Sequence, residues 1–333
     1  MPLRDIVVIG ASAGGISALQ RLIHALPADF SAAILVVLHI SRQSTGLLPD
    51  ILARSGVLPA RNAQQGEPIR NGHIYVAPPD RHLLAGPGRK IQIGNGPKEN
   101  RFRPAVDPLF RSAALNYGSN VIGVVLSGWL DDGTAGLCTI KQAGGLVVIQ
   151  DPEDAEVPSM PRSALRHVPV DFCLTADKIG EMLPRLVRQA TVAEKSSMSG
   201  EIRLEVELAA DERNRTDLTS LGEPSVYTCP ACAGSLLRVR EPGPVRFRCH
   251  TGHAYTALSL DDELRGKVED TTWGAIRALQ EHAMLLREMN LQQGFSQAEL
   301  AGYRTRAELA LRRADVLRDA LALEEGDAER NAR

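Results

Sequence analysis

The sequence predicts an α/β fold: a doubly wound, mainly parallel sheet with helices on both faces, followed by a small zinc ribbon and a C-terminal helical arm. Three observations predict it. Up to about residue 190, apolar β-branched runs alternate with stretches of helical period; a compact Cys/His cluster follows; and from residue 258 the pattern is helical almost to the end.

The apolar runs are 6–9, 33–38, 74–77, 121–126, 146–149 and 170–174. Several are apolar at every position, as strands buried on both faces of a parallel sheet must be. Between them, 16–26, 45–55, 108–117, 135–143 and 176–189 have helical period and read as crossover helices. These elements make up a domain over 1–190. Residues 191–224 carry no aromatic side chain and are rich in Glu, Arg, Ser and Thr, so they read as a linker. Within it Glu201 to Leu208 alternates polar and apolar, the pattern of a half-buried edge strand. The ribbon occupies 225–257 and the arm 258–325. In the arm Trp273, Ile276, Leu279, Ala283 and Leu286, then Leu309, Leu311, Ala314, Leu317 and Leu321, fall at helical spacings either side of a break at Gly294-Phe295.

Composition limits the function. The chain has 333 residues with 38 Lys+Arg against 40 Asp+Glu and a formal charge of -2, so no field draws in nucleic acid from a distance. No apolar run approaches the ~18 residues of a membrane span, and the first is too short for a secretory signal. Of the five cysteines only Cys229, Cys232 and Cys249 cluster, while Cys138 and Cys173 stand apart. That is not a disulfide framework, and it places the protein in a reducing cytoplasm.

Three motifs each follow a predicted strand. Ser12 lies in Ile9-Gly10-Ala11-Ser12-Ala13-Gly14-Gly15, a strand-to-helix turn whose small residues expose a hydroxyl and leave amides to hold an oxyanion. A plain Gly-rich turn and a phosphate loop are the alternatives, although neither GxGxxG nor GxxxxGK[ST] is present. His39 leaves the strand 33–38 on the same rim, where a base for Ser12 belongs; a helix or strand cap is the plainer reading. Asp131 and Asp132, in Leu126-Ser127-Gly128-Trp129-Leu130-Asp131-Asp132-Gly133, leave another strand, and either carboxylate can orient an imidazole or merely cap a helix. The order Ser, His, Asp is not that of an α/β-hydrolase.

The runs IGASAGG, GHIYVAPPDRHLL, RPAVDPLFRSAA, LSGWLDDGTAGL and MPRSAL, with His39 at its strand end, closely resemble the catalytic domain of the CheB-type chemotaxis protein-glutamate methylesterases over about residues 5–187. The resemblance implies hydrolysis of glutamate methyl esters on the cytoplasmic helices of chemoreceptors, with glutamine deamidation as a companion activity. It also implies Ser12 as nucleophile, His39 as general base and Asp132 as the orienting acid. Asp131 then stands where the family often has Asn, Trp129 where it usually has Met, and Ala13 where Thr is common. Ala13, Gly14 and Trp129 border the oxyanion and substrate pocket. Family members usually begin with a receiver domain, for which the strand at Ile6 leaves no room, so an open enzyme or control by the C-terminal part is expected. A non-catalytic binding module of a chemosensory-type pathway is the alternative.

Cys229-Pro230-Ala231-Cys232 is followed, after sixteen intervening residues, by Cys249-His250-Thr251-Gly252-His253, the spacing of two knuckles closing a tetrahedral zinc site. His253 is the expected fourth ligand and His250 its rival. The metal is expected to be a structural Zn2+, since about 30 residues cannot build a core unaided; catalysis itself calls for no cofactor. Arg238, Arg240, Arg246 and Arg248 read as solvated surface. Methylated chemoreceptor helices are the expected partner of the catalytic part. A methyltransferase or another signalling protein is the expected partner of the arm. Neither nucleic acid nor membrane insertion is expected. Removal of everything after Val192 should accordingly leave a folded, active domain.

Overall fold

The computed structural model describes residues 3–191, 198–211, 218–291 and 294–331, and the chain forms two compact units, 1–260 and 261–333. The first unit opens with β1 (Ile6–Ala11), α1 (Gly15–His24), β2 (Ala33–Leu38), α2 (Leu48–Ser55), β3 (Ala60–Asn62), β4 (Ile74–Val76), β5 (His82–Gly86) and β6 (Lys90–Gly94). It continues with α3 (Val106–Tyr117), β7 (Val121–Val125), α4 (Thr134–Gln142), β8 (Leu146–Gln150), α5 (Ser159–His167), β9 (Phe172–Leu174) and α6 (Ala176–Leu186). Then come α7 (Gly200–Ala210), β10 (Gly222–Thr228), β11 (Ser235–Val239), β12 (Arg246–Cys249), β13 (Ala254–Thr256), α8 (Ala257–Met289) and α9 (Gln297–Asn331).

Seven strands form one sheet in the order β3-β4-β2-β1-β7-β8-β9, and every pairing in it is parallel. Alternate residues of each central strand supply the two cores. Val7, Ile9, Ile34 and Val36 pack with Leu19 and Leu22 of α1 and Ile179 and Leu183 of α6. Ile6, Val8, Leu35 and Val37 face the other way, onto Leu109 and Phe110 of α3 and Leu137 and Ile140 of α4. With both faces covered, apolar residues at every position are what such strands require. The chain runs outward from β1 through β2 to β4, then returns to place β7 on the opposite side of β1. The carboxyl ends of β1 and β7 therefore flank the crevice where open α/β sheets bind ligands. The antiparallel hairpin β5-β6 and helix α5 were not anticipated from the sequence.

The stretch 191–224 departs from the expected linker; within it 192–197 and 212–217 lie outside the described residues. The segment expected as an edge strand is helix α7, with Ser199 as N-cap accepting the Ile202 N–H. Ile202, Leu204, Glu205, Val206 and Ala209 are all buried. The alternation misleads because this helix is covered on more than one side. Leu204 packs with Leu218, Leu221 and Leu237, while Gly96 donates its N–H to the Ala209 carbonyl. Its residues are mostly strong helix formers, a signal that favoured the helix over the strand.

Strands β10 to β13 form a separate four-stranded antiparallel sheet in sequence order. Two of its arginines are not solvated surface. Arg246 and Arg248 are 3% and 1% exposed and converge with Arg111 of α3 on Glu205 of α7. Arg248 also donates to Glu99 at 2.9 Å, and Arg246 to Glu241 at 2.5 Å. Three guanidinium groups and three carboxylates thus neutralise one another inside the first unit. The sequence hides this arrangement because, apart from Glu241 five positions before Arg246, the partners lie far apart along the chain.

In the second unit α8 and α9 pack through Ala283, Leu286, Ala307 and Ala310. Ser296 and Glu299 start α9 with reciprocal side-chain-to-backbone bonds, Ser296 N–H to Glu299 Oε2 at 2.7 Å and Glu299 N–H to Ser296 Oγ at 3.3 Å. No helix among the described residues is long and apolar enough to cross a membrane.

Candidate active site and metal cluster

Register brings Ser12 and His39 together. Ala11 and Leu38 are the last paired residues of β1 and β2, and the His39 N–H donates to the Ala11 carbonyl at 3.1 Å. The next residue on each strand is therefore Ser12 and His39, side by side at about the 4.8 Å strand spacing. On its other flank Ser12 donates its N–H to Ser127 O at 2.9 Å, just past β7. Gly14 then turns into α1 with φ +71°, where a side chain would meet both Ser127 Oγ and Glu156 Cβ at 2.6 Å. Gly128 admits no side chain either, since a Cβ there would lie 2.1 Å from Met160 Sδ and 2.7 Å from Ser12 Cβ. The Ser127 hydroxyl donates to Ala13 O at 2.7 Å and so ties the two loops together. Trp129 stands at the rim, 65% exposed.

His39 Nε2 lies 2.7 Å from Asp132 Oδ2, with both side chains 2% exposed. Asp131 is turned elsewhere and accepts the Thr256 hydroxyl at 2.6 Å. Asp132 also accepts Val106 N–H (2.7 Å), Asp107 N–H (3.2 Å), Gly133 N–H (2.9 Å) and Asn100 Nδ2 (2.9 Å). Burial alone would raise this carboxyl. The His39 bond and charge, then the Val106 and Asn100 donors, outweigh it and hold Asp132 at about 2. An ionised Asp132 can only accept, so Nε2 carries the imidazole proton and Nδ1 is left with its lone pair. Nδ1 is buried and has no hydrogen-bond partner among the described residues.

Residues 99–102, which the sequence did not single out, line the same site. Phe102 stacks on His39 with ring centroids 3.8 Å apart and planes 6° from parallel. Asn100 and Arg101 both have positive φ, 48° and 76°. Nothing local marks this loop, since its role depends on what the fold brings to it. Asp107, buried beneath it, is pushed up by desolvation and by the Asp132 charge.

Burial lifts Asp131 to about 6, against the Thr256 bond that lowers it and with the Asp132 charge adding to the rise. A carboxyl with a higher pKa in the folded than in the unfolded chain makes stability fall as pH rises, here from about 4 to about 6, after which the loss is complete. Asp131→Asn keeps an acceptor for Thr256. It is expected to gain on the order of 2 kcal/mol at pH 8 and to flatten the stability profile between pH 4 and 6. Urea unfolding across that range checks this; equal slopes in the two proteins would mean that Asp131 does not titrate there.

The cysteine cluster joins the β10-β11 turn to the β12-β13 turn. One ligand atom from each of Cys229, Cys232, Cys249 and His253 lies within 4.8 Å of the others. Cys232 Sγ to Cys249 Sγ is 3.7 Å, Cys229 Sγ to His253 Nδ1 is 3.8 Å and Cys249 Sγ to His253 Nδ1 is 3.5 Å. A tetrahedron with legs of about 2.3 Å has edges of about 3.8 Å, so these four residues fit a metal ion. His253, not His250, is the histidine that joins the three sulfurs.

The family model for the CheB methylesterase matches residues 7–183. A putative protein-glutamate methylesterase/protein-glutamine glutaminase of Leptospira interrogans is 41% identical over 182 residues, 55% of this chain and 94% of that protein. The protein-glutamate methylesterase/protein-glutamine glutaminase 2 of Anaeromyxobacter dehalogenans is 42% identical over 187 residues, 56% of this chain and 53% of that one. The chain thus spans nearly all of the first relative and about half of the second. The crystal structure of the Thermotoga maritima CheB methylesterase catalytic domain superposes with a TM-score of 0.53 at 39% identity, covering 55% of this chain and 98% of that domain. With the parallel sheet and its strand-end Ser12, His39 and Asp132 already in place, the match over more than half the chain means that this protein belongs to the CheB methylesterase family.

Proposed function

We propose that the protein hydrolyses methyl esters of glutamate side chains on the cytoplasmic helices of chemoreceptors, and deamidates glutamines at the same kind of site. The observation that carries the chemistry is the His39 ring. It has one nitrogen on Asp132 and the other buried without a partner among the described residues, and it leaves β2 beside the point where Ser12 leaves β1. In this reading Ser12 Oγ attacks the ester carbonyl as its proton passes to His39 Nδ1. Asp132 stabilises the imidazolium, and backbone N–H groups of Ala13, Gly14 and Trp129 receive the oxyanion. The C–O bond breaks, the methoxide takes the proton from Nδ1 and leaves as methanol. Water, activated by the same nitrogen, then cleaves the acyl-serine to release the glutamate carboxylate. An amide substrate follows the same course and releases ammonia.

Cys229, Cys232, Cys249 and His253 would hold a Zn2+ with a structural role, supported by the tetrahedral spacing of their ligand atoms. Bound there, the ion would cross-link the two turns of the ribbon; no catalytic step requires it. Free thiols at such a site suit a reducing cytoplasm. In the arm, Trp273, Met284 and Leu285 are each about half exposed, which leaves a surface for a signalling partner such as a methyltransferase.

Methanol release from a methylated chemoreceptor cytoplasmic fragment tests the reading. Ser12→Ala is expected to lower turnover on the order of 10^4-fold or more. Metal analysis of the same preparations should find one zinc per chain, lost in Cys249→Ser. A folded, zinc-loaded wild type that releases no methanol would favour the binding module instead.

A further inference from the structure

The loop that carries Asn100 and Phe102 is held between the His39–Asp132 pair and the cysteine-bearing sheet. On the sheet side, Asn100 N–H donates to Ala254 O at 2.8 Å and Ala254 N–H to Lys98 O at 3.3 Å, so the loop runs as a short parallel partner of β13. Beneath it Glu99 receives Arg111 and Arg248. The Asn100 carboxamide is fixed at both ends. Its oxygen accepts Thr256 N–H at 2.9 Å and Ser259 Oγ at 3.2 Å. Its nitrogen donates to Asp132 Oδ1 at 2.9 Å and Asp107 Oδ2 at 3.0 Å. The Thr256 N–H of β13 and the Ser259 hydroxyl of the first turn of α8 thus favour the NH2 group facing Asp132. Without them the terminal amide torsion is soft, and its oxygen could turn against the carboxylate. Thr256 makes a second connection through its hydroxyl to Asp131.

We propose that Asn100 is a positioning residue for hydrolysis, held in its working orientation by Thr256 and Ser259, so that the ribbon end is part of the catalytic machinery. This rests on the esterase reading of Ser12, His39 and Asp132. The expected truncation after Val192 would therefore remove donors that the site uses, and a folded fragment with a lower kcat than the full chain is the outcome this proposal requires.

The test uses the full chain as wild type, Asn100→Asp, Asn100→Ala and Ser259→Ala. Each is assayed for methanol release from pH 5 to 9 and for the rate at which a fluorophosphonate labels Ser12. Asn100→Asp keeps the acceptor for the ribbon but sets a carboxylate oxygen against Asp132. It is expected to lower kcat about 100-fold, with KM within about twofold of wild type, because the loss is one of placement. The acid limb of the profile is expected to move to higher pH, because an added carboxylate beside Asp132 favours the protonated form of the site. Asn100→Ala should show the same direction with a smaller loss. Ser259→Ala, which removes the side-chain donor to Asn100 and guards against misfolding of the Asn100 variants, should lose roughly fivefold, the size of one neutral hydrogen bond. Folded variants with wild-type kcat, labelling rate and pH profile would overturn the proposal. If wild type labels at Ser12 but releases no methanol, the esterase reading alone fails and the labelling rates decide the role of Asn100. If Ser12 does not label at all, both fail.

Discussion

Asp132→Asn is expected to lower kcat by roughly 10^4-fold while leaving a folded protein, the loss known for the wrong imidazole tautomer in serine hydrolases. The structure supplies the reason. Five donors converge on the two Asp132 oxygens, from Val106, Asp107, Gly133, Asn100 and His39. An amide has one oxygen, so its NH2 must face some of those donors. Where it faces His39, Nε2 becomes the acceptor and the ring proton moves to Nδ1, the nitrogen that serves as base for Ser12 in the proposed mechanism. Where it faces the Asn100, Asp107 and Gly133 donors instead, buried N–H groups are left unpaired at about 1–3 kcal/mol. Methanol release and Ser12 labelling measure the first effect, and thermal unfolding the second. A loss of less than tenfold would exclude Asp132 from the orienting role.

Glu205→Gln is expected to destabilise the first unit by roughly 3–5 kcal/mol, the usual result of removing one partner from a buried ion cluster. Glu205 is fully buried and accepts Arg248 Nε at 3.0 Å, Arg248 NH2 at 2.7 Å and Arg246 NH1 at 3.1 Å, with Arg111 Nε 3.4 Å away. Burial alone would raise its carboxyl, but the three guanidinium charges hold it well below the usual range. The glutamine keeps the shape and removes the charge, leaving an excess positive charge in the interior. A fall in Tm on the order of 10 °C is expected, together with a lower urea midpoint. An unchanged Tm would show that the arginines find other compensation.

Five of the six apolar runs, β1, β2, β4, β7 and β8, were legible because a strand buried on both faces has no choice of side-chain type; the sixth is the half-exposed edge strand β9, and all six are strands of the observed sheet. Ser12, His39 and Asp132 could be singled out because a short chemical motif directly followed each strand. Choosing between Asp131 and Asp132 needed more than chemistry, since the two differ only in what the fold presents to them, His39 for one and Thr256 for the other. The metal cluster was legible for the opposite reason, because ligand spacing in two turns is a local property. Helix α7, Arg246 and Arg248 were misread because their environment is made by distant parts of the chain. Glu205 and Arg248 are 43 positions apart, and Glu99 and Arg248 are 149. Asn100 carried no local signal at all.

The contact between Asn100 and Ser259 spans 159 positions, which orders events during synthesis. Translation at ~5–20 residues per second separates the appearance of Asp132 from that of Ser259 by on the order of 10 s. Through that interval the nascent polypeptide carries its serine, histidine and aspartate without the clamp that fixes their geometry. On the Asn100 proposal the full hydrolytic rate then arrives only with the β13–α8 junction, and a product of premature termination upstream of β13 works more slowly than the whole chain.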